Sequence, residues 1–152
     1  MSMWLDLLGC EYRMGFAQAG PIRTRFLEAG FGHPETIVFL HGSGGYLEAF
    51  LRNIAAHATR YRVFAIDMIG HGCSDKPDRP YQPADYVRHL LDFLDAMGVQ
   101  RAHLSGESLG GWVAFRSGLI GDVFGIQAAP VIFAANYALV SQPSRKIRSS
   151  NP

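Results

Sequence analysis

Only two cysteines, Cys10 and Cys73, occur in the 152 residues, and neither belongs to a CxxC pair or to a His/Cys spacing of the kind that binds zinc. A disulfide framework and a structural metal site are therefore not what stabilises this chain, and a reducing cytoplasm is the expected setting. Charge of one sign is also scarce: the formal net charge is +1, with no basic stripe, which argues against a nucleic-acid partner. The first residues, MSMWLDLLGCEYR, lack the charged segment and long apolar run of a signal peptide. The longest apolar stretch, GLIGDVFGIQAAPVIFAANYALV, is interrupted by Asp122, Gln127, Pro130 and Asn136, so it reads as globular interior with a strand near Val131 to Ala134 rather than as a membrane span. A final scarcity bears on chemistry. After residue 108 there is one acidic residue, Asp122, and no histidine.

What is present is the composition of a soluble globular domain, 48% hydrophobic and 18% charged, at a length that fits one core. The segment TIVFL, Thr36 to Leu40, is a short β-branched run that stops at HGSGG, as a buried parallel strand does when it enters a loop. A second run, RVFAI, Arg62 to Ile66, stops at Asp67 and the glycine-bearing MIGHGCSDKP. Tyr46 to Ala58 between them has the composition and length of a crossover helix, which predicts a right-handed strand–helix–strand unit. In PADYVRHLLDFLDAMG, Pro83 suits a first helical turn, Val87, Leu90, Leu91, Leu94 and Met97 share one helical face, and Gly98 supplies the stop. Ala102 to Ser105 reads as a further strand, followed by a turn and a helix beginning LGGWVAFRSG. Upstream, Tyr12 to Phe16 and Ile22 to Leu27 read as an antiparallel edge hairpin joined through Gly20-Pro21. The alternation predicts an α/β fold, a mostly parallel sheet flanked by helices. The basic, proline-bearing residues 141–152 read as a disordered tail behind a domain spanning 1–140.

Two glycine-rich motifs carry the chemistry. Gly106-Glu107-Ser108-Leu109-Gly110 fits G-x-S-x-G, in which the chain turns sharply from strand to helix and presents the serine; small flanking residues are needed because a side chain there would meet the neighbouring strand and helix. HGSGG, residues 41–45, follows a strand directly, and its glycines let backbone N–H groups approach an oxygen that becomes negative in a tetrahedral intermediate. The Leu109 N–H, at the start of the next helix, is placed to offer a second donor.

With LHGSGG at 40–45, DMIGHGCSDKP at 67–77 and LSGESLGG at 104–111 in that order, the sequence resembles the α/β-hydrolase superfamily over about residues 22 to 117. Within it, the stretch Leu47 to Asn53 and the block containing Asp67, Gly70, His71, Gly72, Ser74 and Asp75 resemble the meta-cleavage-product hydrolases, which cleave a carbon–carbon bond in ring-opened aromatic catabolites. The resemblance implies Ser108 as nucleophile and the N–H groups of Leu109 and Ser43 as the oxyanion hole. It further implies Gly42, Gly44, Gly106 and Gly110 as the residues that shape these loops, with no cofactor and no metal. Serine at 108 departs from the dehalogenases and epoxide hydrolases of the superfamily, which use aspartate there. Asp67, His71 and Asp75 are expected to be structural.

The family carries its acid and histidine after the nucleophile, in the order Ser, Asp or Glu, His. Here His33, His41, His57, His71, His89 and His103 all lie upstream. His57 and His89 read as helix residues facing solvent or a partial core, and His103 as a packed strand residue. The expectation is a serine hydrolase acting on a small organic substrate, at a C–C or an ester bond, truncated or frame-shifted after about residue 117. A general carboxylesterase and a non-catalytic hydrolase fragment are the alternatives. No membrane partner and no particular oligomeric state are implied, and the strand Ala102 to Ser105 is expected to be left as an open edge.

Overall fold

The computed structural model describes residues 3–124, 131–134 and 137–140, with side chains through residue 118. A 3-10 turn at Met3–Leu7 leads into strands β1 (Tyr12–Ala19) and β2 (Ile22–Ala29), then β3 (Thr36–Leu40), a second 3-10 turn (Leu47–Phe50) running into helix α1 (Leu51–His57), β4 (Arg62–Ile66), α2 (Pro83–Ala96), β5 (His103–Gly106), α3 (Leu109–Phe124), β6 (Val131–Ala134) and β7 (Tyr137–Val140). The hairpin strands extend two to three residues beyond the expected ends, because Tyr12 to Ala19 pairs without interruption with Ala29 to Ile22. The tail expected at 141–152 lies outside the described residues.

All seven strands form one sheet, ordered β1-β2-β4-β3-β5-β7-β6. The expected mostly parallel arrangement holds in its centre, where β3 pairs in parallel with both β4 and β5. Toward both margins the sheet is antiparallel, which makes it mixed. The open edge expected at β5 is occupied: β7 pairs with it from Leu104↔Val140 to Gly106↔Ala138. The apolar stretch after α3 returns as a hairpin and takes the hydrogen bonds that β5 would otherwise direct to water.

Two apolar layers sandwich the sheet. One packs Val87, Leu90, Leu91, Phe93 and Leu94 of α2 and Val113 and Ala114 of α3 against Phe26, Val38, Phe64 and Leu104. The other packs Leu51 and Ile54 of α1, with Leu47 and Phe50 ahead of them, against Leu27, Ile37, Phe39 and Val63. Because β3 is buried on both faces, every residue of TIVFL is interior, which is why that run shows no alternation. Met97 falls just past the end of α2 as its C-cap, while Phe93, one turn earlier, is wholly buried. Charges are stitched across the antiparallel side: the buried Glu28 of β2 accepts from Arg13 Nε of β1 at 2.5 Å and from Arg62 Nε of β4 at 2.7 Å.

Register places the chemistry. Leu40 of β3 lies beside Ile66 of β4 and Gly106 of β5, so three parallel strands end together. The loops HGSGG, DMIGHGCSD and the turn at Ser108 therefore leave the same edge of the sheet side by side.

Candidate active site

At the end of β5 the chain turns through Glu107 and Ser108 into α3. Ser108 has φ 49, the sole positive value of a non-glycine residue among those described. A left-handed conformation costs an ordinary L-residue about 1–2 kcal/mol, so it is held there by its surroundings. Those surroundings are backbone. A Cβ at Gly106 would fall on the backbone of Gly110 and lie 2.5 Å from Gly111 N, and a Cβ at Gly110 would fall on the Leu40 carbonyl, 2.7 Å from His41 O. Strand, turn and helix thus touch with no room for a side chain. The turn is fastened by Glu107 N–H to Leu40 O at 3.1 Å, Gly110 N–H to Glu107 O at 2.8 Å and Trp112 N–H to Ser108 O at 3.0 Å. Ser108 itself is exposed.

The loop after β3 lies against this turn. A Cβ on Gly42 would sit 3.4 Å from both Ser108 Cβ and Glu107 O, so a side chain there would press on the serine. Gly45 N–H donates to Gly42 O at 3.0 Å, closing a four-residue turn whose third member, Gly44, has φ 73. That position is the one where a turn of this kind calls for glycine. Ser43 and Gly44 are exposed at its tip, Gly42 is buried, and Leu109 is half-buried. As the first residue of α3, Leu109 has an N–H without an acceptor inside the helix. The structure therefore brings Gly42, Gly106, Ser108, Leu109 and Gly110 together, with Ser43 and Gly44 exposed at the tip of the adjoining turn.

Four of the histidines have ring nitrogens engaged in hydrogen bonds. His41 is fully buried; its Nδ1–H donates to Gly42 O at 2.8 Å and its Nε2 accepts from Met68 N–H at 3.0 Å. Burial pushes its pKa below the ordinary value, and the neighbouring His71 adds to this. His89 differs from its expected half-exposed place: it is 2% exposed, with Nε2 2.6 Å from Thr24 Oγ1 and Nδ1 accepting from Ile69 N–H at 3.1 Å. Here too desolvation dominates, and the pKa falls to about 4. His71 donates from Nδ1 to Ile69 O at 3.0 Å, and its ring lies 4.9 Å from that of His41. His57 donates to Asn53 O within α1, and His103 begins β5, at the end opposite Ser108. Asp122 is fourteen residues along α3 from Ser108, about 20 Å at helical rise, which removes it as a partner for the serine.

Asp67 explains the second glycine loop. Its buried carboxylate accepts from Leu47 N–H and Cys73 N–H, both at 2.8 Å, and pairs with Arg25 at 3.3 Å; Arg25 also grips Glu48 at 2.5 Å. A Cβ at Gly72, where φ is 50, would fall on that carboxylate. Asp75 Oδ2 accepts from Arg23 N–H, and Ser74 Oγ accepts from Arg25 N–H and donates to Asp67 O. The block is a clasp between β2 and β4, in keeping with the structural role expected of Asp67 and Asp75. Sequence reasoning did not find the roles of Arg25, Glu48 and His89, whose partners lie 20 to 65 positions away. Among the described residues no group of three or more His, Cys, Asp or Glu is placed to hold a metal, and no helix is long and apolar enough to cross a membrane.

A family model described as the alpha/beta hydrolase family matches residues 37–149. The chain belongs to that family. The match runs past residue 117, the expected end of the resemblance read from the three motif blocks. Among relatives of this α/β hydrolase, the 2-hydroxy-6-oxo-6-(2'-aminophenyl)hexa-2,4-dienoic acid hydrolase of Metapseudomonas resinovorans is 41% identical over 98 residues, covering 63% of this chain and 34% of that protein. A haloalkane dehalogenase of Mesorhizobium japonicum is 40% identical over 91 residues, covering 59% and 29%. In three dimensions, the naproxen esterase (carboxylesterase NP) of Bacillus subtilis superposes with a TM-score of 0.70 at 26% identity, covering 78% of this chain and 42% of that one. The chain thus spans about a third of the length of the curated relatives it matches.

Proposed function

We propose that this α/β hydrolase is of the serine type, with Ser108 as nucleophile and the N–H groups of Leu109 and Ser43 as the oxyanion hole. The observation that carries the reading is the left-handed Ser108 wedged between Gly106 and Gly110, neither of which has space for a Cβ. A fold holds a serine in so unfavourable a conformation where an exposed hydroxyl serves the chemistry. In a site of this kind one oxyanion donor contributes about 3 kcal/mol to the transition state. Gly42 and Gly44 then serve by letting the loop lie close to the serine without obstructing it. No cofactor enters the reaction.

Serine rather than aspartate at 108 supports hydrolysis through an acyl or related oxyanion intermediate over dehalogenation, although a dehalogenase is among the relatives. The substrate is a small organic molecule. The likeness to the Metapseudomonas enzyme supports the C–C bond of a ring-opened aromatic acid, and the likeness to the naproxen esterase supports an ester.

The test is covalent labelling. A fluorophosphonate probe applied to the Metapseudomonas relative is expected to modify the serine aligned with Ser108, and alanine at that position to abolish the adduct. Labelling that survives the substitution removes the nucleophile from this position.

A further inference from the structure

Between the N-terminal turns of α2 and α3 lies a groove of about 670 Å³, within the size range of small-molecule sites. Its floor is Val87, Leu91 and the indole of Trp112, which is 38% exposed. Arg88 and Arg116, both exposed, also line it. The groove also contains Asp85, but that carboxylate is already engaged: Arg79 holds it through two hydrogen bonds of 2.8 and 2.9 Å and Gln82 N–H adds a third, which together lower its pKa to about 2. Arg88 and Arg116 have no carboxylate partner among the described side chains, and the Arg116 guanidinium lies 5.9 Å from the Trp112 ring centre. The groove therefore pairs an aromatic and aliphatic floor with two uncompensated cations.

We propose that this groove binds an aromatic carboxylate, its ring stacked on Trp112 and its carboxylate held by Arg88 and Arg116. A planar guanidinium matches a carboxylate with two parallel hydrogen bonds, and stacking against an indole selects a flat ring. The groove is distinct from the serine's surroundings, since neither Ser108 nor the loop at 41–45 lines it and its α3 residues begin one helical turn beyond Ser108. The proposal does not rest on the hydrolase reading: a ligand can bind here whether or not Ser108 reacts.

The experiment follows Trp112 fluorescence in a Trp4→Phe background, titrated with 2-naphthoate and with the uncharged 2-naphthalenemethanol. Saturable quenching by naphthoate is expected, with the alcohol weaker by about tenfold, the usual worth of a charge-assisted hydrogen bond. Arg88→Gln combined with Arg116→Gln should weaken naphthoate by a similar factor, while Arg60→Gln, at an exposed cation elsewhere, and Ser108→Ala should leave it unchanged. Arg60, Arg88, Ser108 and Arg116 are exposed and Trp4 is half-buried, and circular dichroism checks that each variant folds. Absence of saturable quenching, equal affinity for acid and alcohol, or a double arginine variant that binds like its parent overturns the proposal. So does loss of binding in Ser108→Ala, which would place the ligand at the serine.

Discussion

His41 and His89 accept the N–H groups of two consecutive residues, Met68 at 3.0 Å and Ile69 at 3.1 Å. One histidine comes from the loop after β3 and the other from α2, so the start of the clasp after β4 is held from two sides by neutral imidazoles. A ring nitrogen accepts only when it carries no proton, and protonation turns each of these acceptors into a donor facing a donor.

Acid should therefore loosen this edge of the sheet. The folded pKa of His89 is depressed from 6.5 to about 4 by burial, and that of His41 is lowered in the same sense. The stabilisation from a neutral His89 is complete above pH 6.5, declines as pH falls through the window between the two values and is gone below about 4. It amounts to something on the order of 3 kcal/mol. Unfolding free energies from urea titrations should fall more steeply between pH 6.5 and 4 in the parent than in His89→Gln, by up to about 1.4 kcal/mol per pH unit for one proton. Equal slopes would show that His89 does not titrate on unfolding.

The strained serine makes a second prediction. Glycine adopts a positive φ without the Cβ penalty, so Ser108→Gly should be more stable than Ser108→Ala by about 1 kcal/mol. Both variants lack the hydroxyl, so the comparison isolates conformation from chemistry. Chemical denaturation of the two proteins side by side measures it; an alanine variant at least as stable as the glycine one would mean that the turn relaxes when the hydroxyl is gone.

How much of this could be read beforehand depended on how local the cause was. TIVFL and RVFAI announced themselves because strands buried on both faces are apolar throughout, and the turn at Ser108 did so because contacts with no space for a Cβ leave glycine in the sequence. The partners of Arg25 and His89 left no such mark. An arginine on an edge hairpin and a histidine on an amphipathic helix look like solvent-facing residues until the sheet order sets β2 beside β4 and under α2. The β5–β7 pairing was also hidden, because GIQAAPVIFAANYALV lacks the alternation that would separate an edge hairpin from other interior chain. Of the candidate site, the glycine loops were legible, but the commitment of both nitrogens of His41 was not.

Glycines in the site should differ sharply in what they tolerate. A Cβ at Gly110 meets the backbone of Leu40 and His41, which cannot move without displacing β3, whereas a Cβ at Gly44 meets nothing within 4 Å and carries only the cost of φ 73. Gly44→Ala should lose about 1–2 kcal/mol. Gly110→Ala should lose about 4 kcal/mol or more, in the range reserved for core clashes. Thermal melts of the two variants provide the measurement, and similar losses would show that the contact between α3 and β3 gives way more easily than its geometry implies.

The last prediction concerns turnover by the 152 residues themselves. A serine hydroxyl is a weak nucleophile at neutral pH and needs a base within hydrogen-bond reach, itself oriented by a third group. His41 and His89 have both ring nitrogens engaged, His57 is bonded within α1, His103 stands at the opposite end of β5, and Asp122 is about 20 Å along α3. Removing the base from a triad of this kind costs about 10⁶-fold, with about 10³-fold over water left by the oxyanion hole and binding. The purified chain should accordingly hydrolyse p-nitrophenyl acetate no faster than its Ser108→Ala variant between pH 6 and 9. A burst that depends on Ser108 would contradict this and would point to His71. Its Nδ1 is held by Ile69 O, while its Nε2 has no hydrogen bond among the described residues. His71→Ala should then remove the burst, whereas His41→Ala, by freeing Met68 N–H and loosening the clasp, should lower stability at every pH in the range.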